Sequence, residues 1–203
     1  MANVKHSSKH AEHPTPLPYI AAAKSVMGQI DCDPASTTNF NTVVGARRIY
    51  TAEDSGLDIK ACWNGSVFLN PPGTCRNEAG VFTVCGKEDP ERKVCSCRLV
   101  RQFWHRLETD YSAGIVDQAI WIGFSIEQLQ TLQLHFGARR SPLSFPICYP
   151  RRRIPFTGTG NTHASFIAYL PRSFRGSTMD AELRFADNFK QFGGVVCCSH
   201  LVA

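Results

Sequence analysis

Gly65-Ser66-Val67-Phe68-Leu69-Asn70-Pro71-Pro72-Gly73 has the sharpest local reading in the chain. Val67, Phe68 and Leu69 form a compact apolar run, which reads as a strand. Proline lacks a backbone N–H and has a fixed φ, so Pro71-Pro72 stop that strand abruptly after Asn70. A polar side chain is thereby set at a strand end, on a backbone path that two prolines hold.

Upstream, Pro16 opens a helical stretch through IAAAKSVM to Met27, and Gly28 closes it. QIDCD then reads as a short, mostly buried strand that ends in the turn-forming Asp33-Pro34, and ARRIYT reads as a further strand. Downstream, residues 73–92 read as loop. From about Lys93 to Tyr111, the residues Leu99, Val100, Phe103, Trp104 and Leu107 recur with helical period. QAIWIGF reads as a buried strand, and Ser125 with Gln128 as a capping box opening the helix IEQLQTLQ. Leu143 to Leu170 alternates strand-like runs with turn residues. A helix over about Asp180 to Phe192 leads through Gly193 into the strand GVVCC.

Strands alternating with helices predict an α/β domain with a largely parallel sheet, helices on both faces and antiparallel strands added towards the C-terminus. Ligands of open α/β sheets bind beyond the carboxyl ends of the strands. Asp33 and Asn70 both fall at such ends. The 203 residues suit one domain, over 14–203, with the polar residues 1–13 as a flexible lead-in. No apolar run nears the roughly 20 residues of a membrane helix. The N-terminus lacks an apolar signal core, so the expected location is the cytoplasm.

The formal net charge is +5. That permits an anionic partner without demanding one. Arg139-Arg140 and Arg151-Arg152-Arg153 flank Phe145, Tyr149 and Phe156, a grouping that suits contact with phosphates and bases. Read blandly, it is a solvated basic face. The 9 cysteines are an odd number, against a fully paired framework. Cys75, Cys85, Cys95 and Cys97 are a weak zinc candidate, because they lack two CxxC knuckles, and free thiols are the expectation. Trp63, Trp104 and Trp121 read most simply as core, and the Asn-Gly turn after Trp63 leaves partial exposure open for that one. His163, at the start of a strand, reads as structural.

Asn-Pro-Pro after an apolar strand has a chemical reading beside the plain reading as a turn. The exocyclic amine of adenine is conjugated with its ring and is a poor nucleophile. Two acceptors binding its hydrogens draw the nitrogen towards tetrahedral geometry and stabilise the charge that develops there. The Asn side-chain oxygen and the carbonyl of the following proline can be those acceptors.

Beyond this motif, Thr15-Pro16, the run Gly28-Gln29-Ile30-Asp31-Cys32-Asp33-Pro34-Ala35-Ser36, Tyr50-Thr51-Ala52-Glu53-Asp54-Ser55-Gly56-Leu57 and Trp63-Asn64-Gly65 precede the Asn-Pro-Pro strand. Gly123-Phe124-Ser125, Phe145-Pro146-Ile147-Cys148, Arg151-Arg152-Arg153-Ile154, Thr162-His163-Ala164-Ser165 and Phe189-Lys190-Gln191-Phe192-Gly193-Gly194-Val195-Val196 follow it. In this order and spacing the chain, over roughly residues 14–197, resembles the phage-type DNA N-6-adenine methyltransferases. The resemblance implies a Rossmann-like methyltransferase sheet, S-adenosylmethionine as cofactor and double-stranded DNA as partner. It gives Asn70, Pro71, Pro72 and Gly73 to the catalytic loop. Asp33, Pro34 and Ala35 fall where the cofactor loop begins; in an alternative register, without that loop, Asp31 or Asp33 is the ribose-binding acid of the second strand; Glu53 and Asp54 are a second acidic candidate.

Two positions depart from the family pattern. Ala35-Ser36-Thr37 stand where glycines are expected, and Gly73 stands where an aromatic residue would stack on an extruded base. They leave open methylation of another amine, in an RNA base or a protein glutamine, and a degenerate DNA-binding relative without activity.

Overall fold

The computed structural model describes residues 14–72, 75–76, 82–83, 96–133, 140–156, 164–172 and 178–197. Its elements, in chain order, are α1 (Leu17–Met27), β1 (Cys32–Asp33), α2 (Thr38–Val44), β2 (Arg48–Ile49), β3 (Gly65–Leu69), β4 (Cys75–Arg76), β5 (Phe82–Thr83), α3 (Ser96–Ser112), β6 (Val116–Gly123), α4 (Glu127–Gln133), a 3-10 turn (Pro142–Ser144), β7 (Ile147–Pro150), β8 (Phe166–Leu170), α5 (Thr178–Phe189) and β9 (Gly193–Val196).

Seven strands form one mixed sheet in the order β2-β1-β3-β6-β8-β7-β9. β2, β1, β3 and β6 are parallel. β8 runs antiparallel to both β6 and β7, so β7 again points the same way as β6, and β9 is antiparallel to β7. The expectation of an α/β domain, largely parallel with antiparallel strands towards the C-terminus, is met.

Side-chain alternation along the strands explains the layers. Val67, Leu69, Ala119 and Trp121 pack with Val100, Phe103, Trp104 and Leu107 of α3 and Leu129 and Leu132 of α4. Phe68, Ile120 and Ile122 face the other way, against α1, Val44 of α2, and Phe185 and Phe189 of α5. Both faces of the central strands are thus covered, and each fully buried Phe, Leu or Ile contributes about 1.5–3 kcal/mol. Trp104 meets Trp121 edge-on at 5.2 Å between ring centroids. Trp63 is fully buried, as its reading as core expects, and donates Nε1–H to the Gly56 carbonyl at 2.9 Å.

One polar network crosses the second core. Gln118 Nε2 donates to the Met27 carbonyl and to Ser66 Oγ, both at 3.0 Å, and the Tyr169 hydroxyl donates to Gln118 Oε1 at 3.0 Å. These bonds anchor the last turn of α1 on the sheet, which fixes where the segment entering α1 can lie.

Four local readings change. β1 is two residues long where QIDCD suggests five. α2 is a helix that its Asn, Thr and Val residues, weak helix formers, do not announce. The stretch read as loop contains the short antiparallel pair β4–β5. The capping box at Ser125 is half made: Ser125 Oγ accepts from Glu127 N–H at 3.3 Å, but the Gln128 side chain has no partner among the described residues. Among the described residues no helix is long and apolar enough to cross a membrane.

Candidate functional site

The chain leaves β1 through α2, on the α1/α5 face, and continues to β2 on one side. It leaves β3 towards α3, on the opposite face, and continues to β6 on the other side. The winding therefore reverses between β1 and β3. At such a switch point the connections depart in opposite directions and leave a crevice at the carboxyl ends of the two strands, where open α/β sheets bind ligands.

Asp33 ends β1 and Asn70 follows the last residue of β3. Cys32 is in register with Val67. Strand spacing and rise then put the Asp33 and Asn70 backbones about 8 Å apart, on adjacent strands. The sheet brings together two residues that the sequence places at strand ends 37 positions apart.

Asp33 is 5% exposed. Its carboxylate accepts the Ala35 N–H at 3.2 Å and a bond from the Ser36 side chain. Burial outweighs both and pushes its pKa up to about 6. Two backbone bonds stitch the turn to the next strand: Ser36 N–H to the Tyr50 carbonyl at 2.9 Å, and Tyr50 N–H to the Asp33 carbonyl at 3.1 Å. The loop after β2 closes on the same turn. A Cβ on Gly56 would lie 2.0 Å from the Pro34 carbonyl oxygen, so only glycine permits that approach. Glu53 and Asp54 lie in this loop, both exposed, with the Thr51 hydroxyl 2.7 Å from Glu53 Oε2 and 3.2 Å from Asp54 Oδ2.

Asp31 belongs to the other end of the sheet. Its Oδ2 accepts the Ser66 N–H at 2.9 Å, at the amino end of β3, and its Oδ1 lies 3.5 Å from Arg47. It fixes the register of β1 and β3 and does not join the crevice. Gly65 has φ +87°, and a Cβ there would lie 2.5 Å from Asp31 Oδ2.

Pro71 is buried and Pro72 half-buried. Asn70 is half-buried and donates Nδ2–H to the hydroxyl of Thr15 at 3.3 Å. Thr15 is the contact that sequence reasoning misses: it is 55 residues away in the chain, and only its Thr-Pro context singles it out. Gly73 lies outside the described residues.

The basic residues separate. Arg140, its side chain 40% exposed, is tied to the chain: Nε bonds Glu108 at 3.2 Å, Nη2 bonds Ser112 Oγ at 2.9 Å, and the guanidinium stacks over Tyr111 and Phe145. Arg151, Arg152 and Arg153 are all exposed. They follow β7, which points the same way as β3, so they emerge at the same end of the sheet as Asn70. β6 and β8 intervene between β3 and β7, a lateral offset of about 14 Å. Arg139 and His163 lie outside the described residues, as do Cys85 and Cys95. The side chains of Cys75 and Cys97 lie outside the description too, and among the described residues no cluster could hold a metal ion.

No protein-family model, curated protein or solved structure matches this chain.

Proposed function

We propose that the protein transfers a methyl group from S-adenosylmethionine to the exocyclic amine of adenine in double-stranded DNA. The observation that carries this reading is the meeting of Asn70-Pro71-Pro72 and buried Asp33 at the switch point of the sheet. An acceptor for a developing positive charge and a carboxyl acceptor for a ligand's donors stand on adjacent strands, at the strand ends where open α/β sheets bind ligands. The mixed sheet is compatible with the Rossmann-like methyltransferase arrangement.

The donor set fits the cofactor. Asp33, Glu53 and Asp54 offer carboxylates, which accept bonds from ribose hydroxyls and from amino groups. An acid at the end of the strand beside the switch-point strand is the ribose-binding position in other doubly wound sheets, and Glu53 and Asp54 follow β2 in that manner. Bound S-adenosylmethionine would supply an electrophilic methyl group and be left as S-adenosylhomocysteine, and the methylated nitrogen would give up one hydrogen as a proton to solvent. The protein's part is to hold the amine in line with it, which is catalysis by positioning. Asn70 Oδ1 and the Pro71 carbonyl accept the amine hydrogens as charge grows on nitrogen, so they bind the transition state more strongly than the substrate.

A base inside a duplex cannot reach such a crevice, so the target adenine is extruded. Arg151, Arg152 and Arg153 lie at the same end of the sheet, about 14 Å to the side, where they grip phosphates flanking the target. Duplex DNA is the expected substrate.

Titration calorimetry with S-adenosylmethionine and S-adenosylhomocysteine tests the cofactor half of the proposal. Saturable one-site binding is expected, weakened by Asp33→Asn. No heat from either compound at millimolar concentration refutes it and leaves the degenerate DNA-binding relative as the better reading.

A further inference from the structure

We infer that Thr15 is a positioning residue that orients the Asn70 amide for the acceptor amine. The inference rests on the methyltransferase reading and assigns to the segment before α1 a part in the reaction. A planar amide has an accepting branch and a donating branch, and only the accepting one can bind the hydrogens of an amine. Thr15 Oγ1 accepts the Nδ2–H of Asn70 at 3.3 Å, and in this arrangement Oδ1 is the branch of the amide turned away from Thr15.

Both ends of this bond are stiffened. Thr15 stands between Pro14 and Pro16, and Asn70 stands before Pro71-Pro72. Proline fixes its own φ and restricts the residue before it to extended backbone, so neither side chain is carried on a mobile loop. Thr15 is 8% exposed, and the segment behind it is tied down in turn. Pro16 caps α1, accepting from Tyr19 N–H at 3.0 Å, and α1 is anchored at its far end by Gln118 through the Met27 carbonyl. A hydroxyl held this way restricts the amide before substrate arrives, so the restriction need not be imposed during the reaction.

The test compares Thr15→Val, which keeps the shape and removes the hydroxyl, with Thr15→Ser, which keeps the hydroxyl. Methyl transfer to duplex DNA is measured with kcat and KM resolved, beside cofactor affinity and Tm. Thr15→Val is expected to lower kcat about tenfold, a fraction of the roughly 100-fold that an ångström of misplacement costs. Its KM, cofactor affinity and Tm should stay near wild type, and Thr15→Ser should restore kcat to within about threefold. Wild-type kcat in Thr15→Val, or a Thr15→Ser variant as slow as Thr15→Val, overturns the inference. A second readout needs no activity: the side-chain amide resonances of Asn70, assigned in labelled full-length protein. They should shift in Thr15→Val and stay in place in Thr15→Ser. Unshifted resonances in Thr15→Val contradict the bond itself. An inactive wild type whose Asn70 resonances respond as expected counts against the methyltransferase reading while upholding Thr15 as the holder of Asn70.

Discussion

Burial raises the Asp33 carboxyl to about 6, so the folded protein holds that proton more tightly than the unfolded chain does. Between the unfolded value of about 4 and the folded value of about 6, the unfolded state binds fewer protons. Stability therefore falls as pH rises through this window and levels off above it. Asp33→Asn should raise unfolding free energy by up to about 3 kcal/mol above pH 6, with the gain vanishing towards pH 4. Urea unfolding of both proteins from pH 4 to pH 8 measures it, and a variant less stable than wild type at pH 8 contradicts it. Asp33 and Asn70 are legible in the sequence because prolines follow both and mark the strand ends. Thr15 is not, because a hydroxyl bond across 55 residues leaves no local pattern. The surroundings of Arg140 are illegible for a similar reason: its ion-pair partner, buried Glu108, lies far away in sequence.

At the scale of elements, the long apolar strands and the helices of clear period are read correctly, since burial on two covered faces enforces those patterns. α2 escapes because its stability comes from Thr37, which accepts the Phe40 N–H at 3.1 Å, and from Gly45 at φ +63°, not from its own propensities. The capping box at α4 shows the limit of motif spacing. Ser125 and Gln128 stand at the right separation, yet the Gln128 amide, 7% exposed, has no partner among the described residues. An unmet buried amide costs free energy that an apolar side chain of similar size does not. Gln128→Leu is thus expected to stabilise the protein by about 1 kcal/mol. Thermal unfolding checks it, and a fall in Tm of several degrees means that the amide is satisfied after all.

The whole molecule sets chemistry apart from scaffolding by the direction of its strands. The carboxyl ends of β1, β3, β6 and β7 share one end, and with them Asp33, Asn70 and the exposed arginine run. Asp31 works at the opposite end. This segregation depends on strand order, which no stretch of sequence states, and it turns a list of acidic and basic residues into one face. If that face meets DNA, Arg151, Arg152 and Arg153 neutralise phosphates. Replacing all three with glutamine should weaken binding across sequences and reduce the slope of log affinity against log salt by nearly 3. A slope equal to that of wild type would reduce the run to a solvated surface.

The central claim is that Asn70 accepts the target amine, and methyl transfer from labelled S-adenosylmethionine to unmethylated duplex DNA tests it most directly, with the product digested to nucleosides. Wild type should place label on N-6-methyladenine. Asn70→Ala should bind the cofactor almost normally and transfer about 100- to 1000-fold more slowly. Asn70→Ala forming N-6-methyladenine at the wild-type rate would contradict the claim, as would label from the wild type that reaches RNA or protein but never DNA adenine.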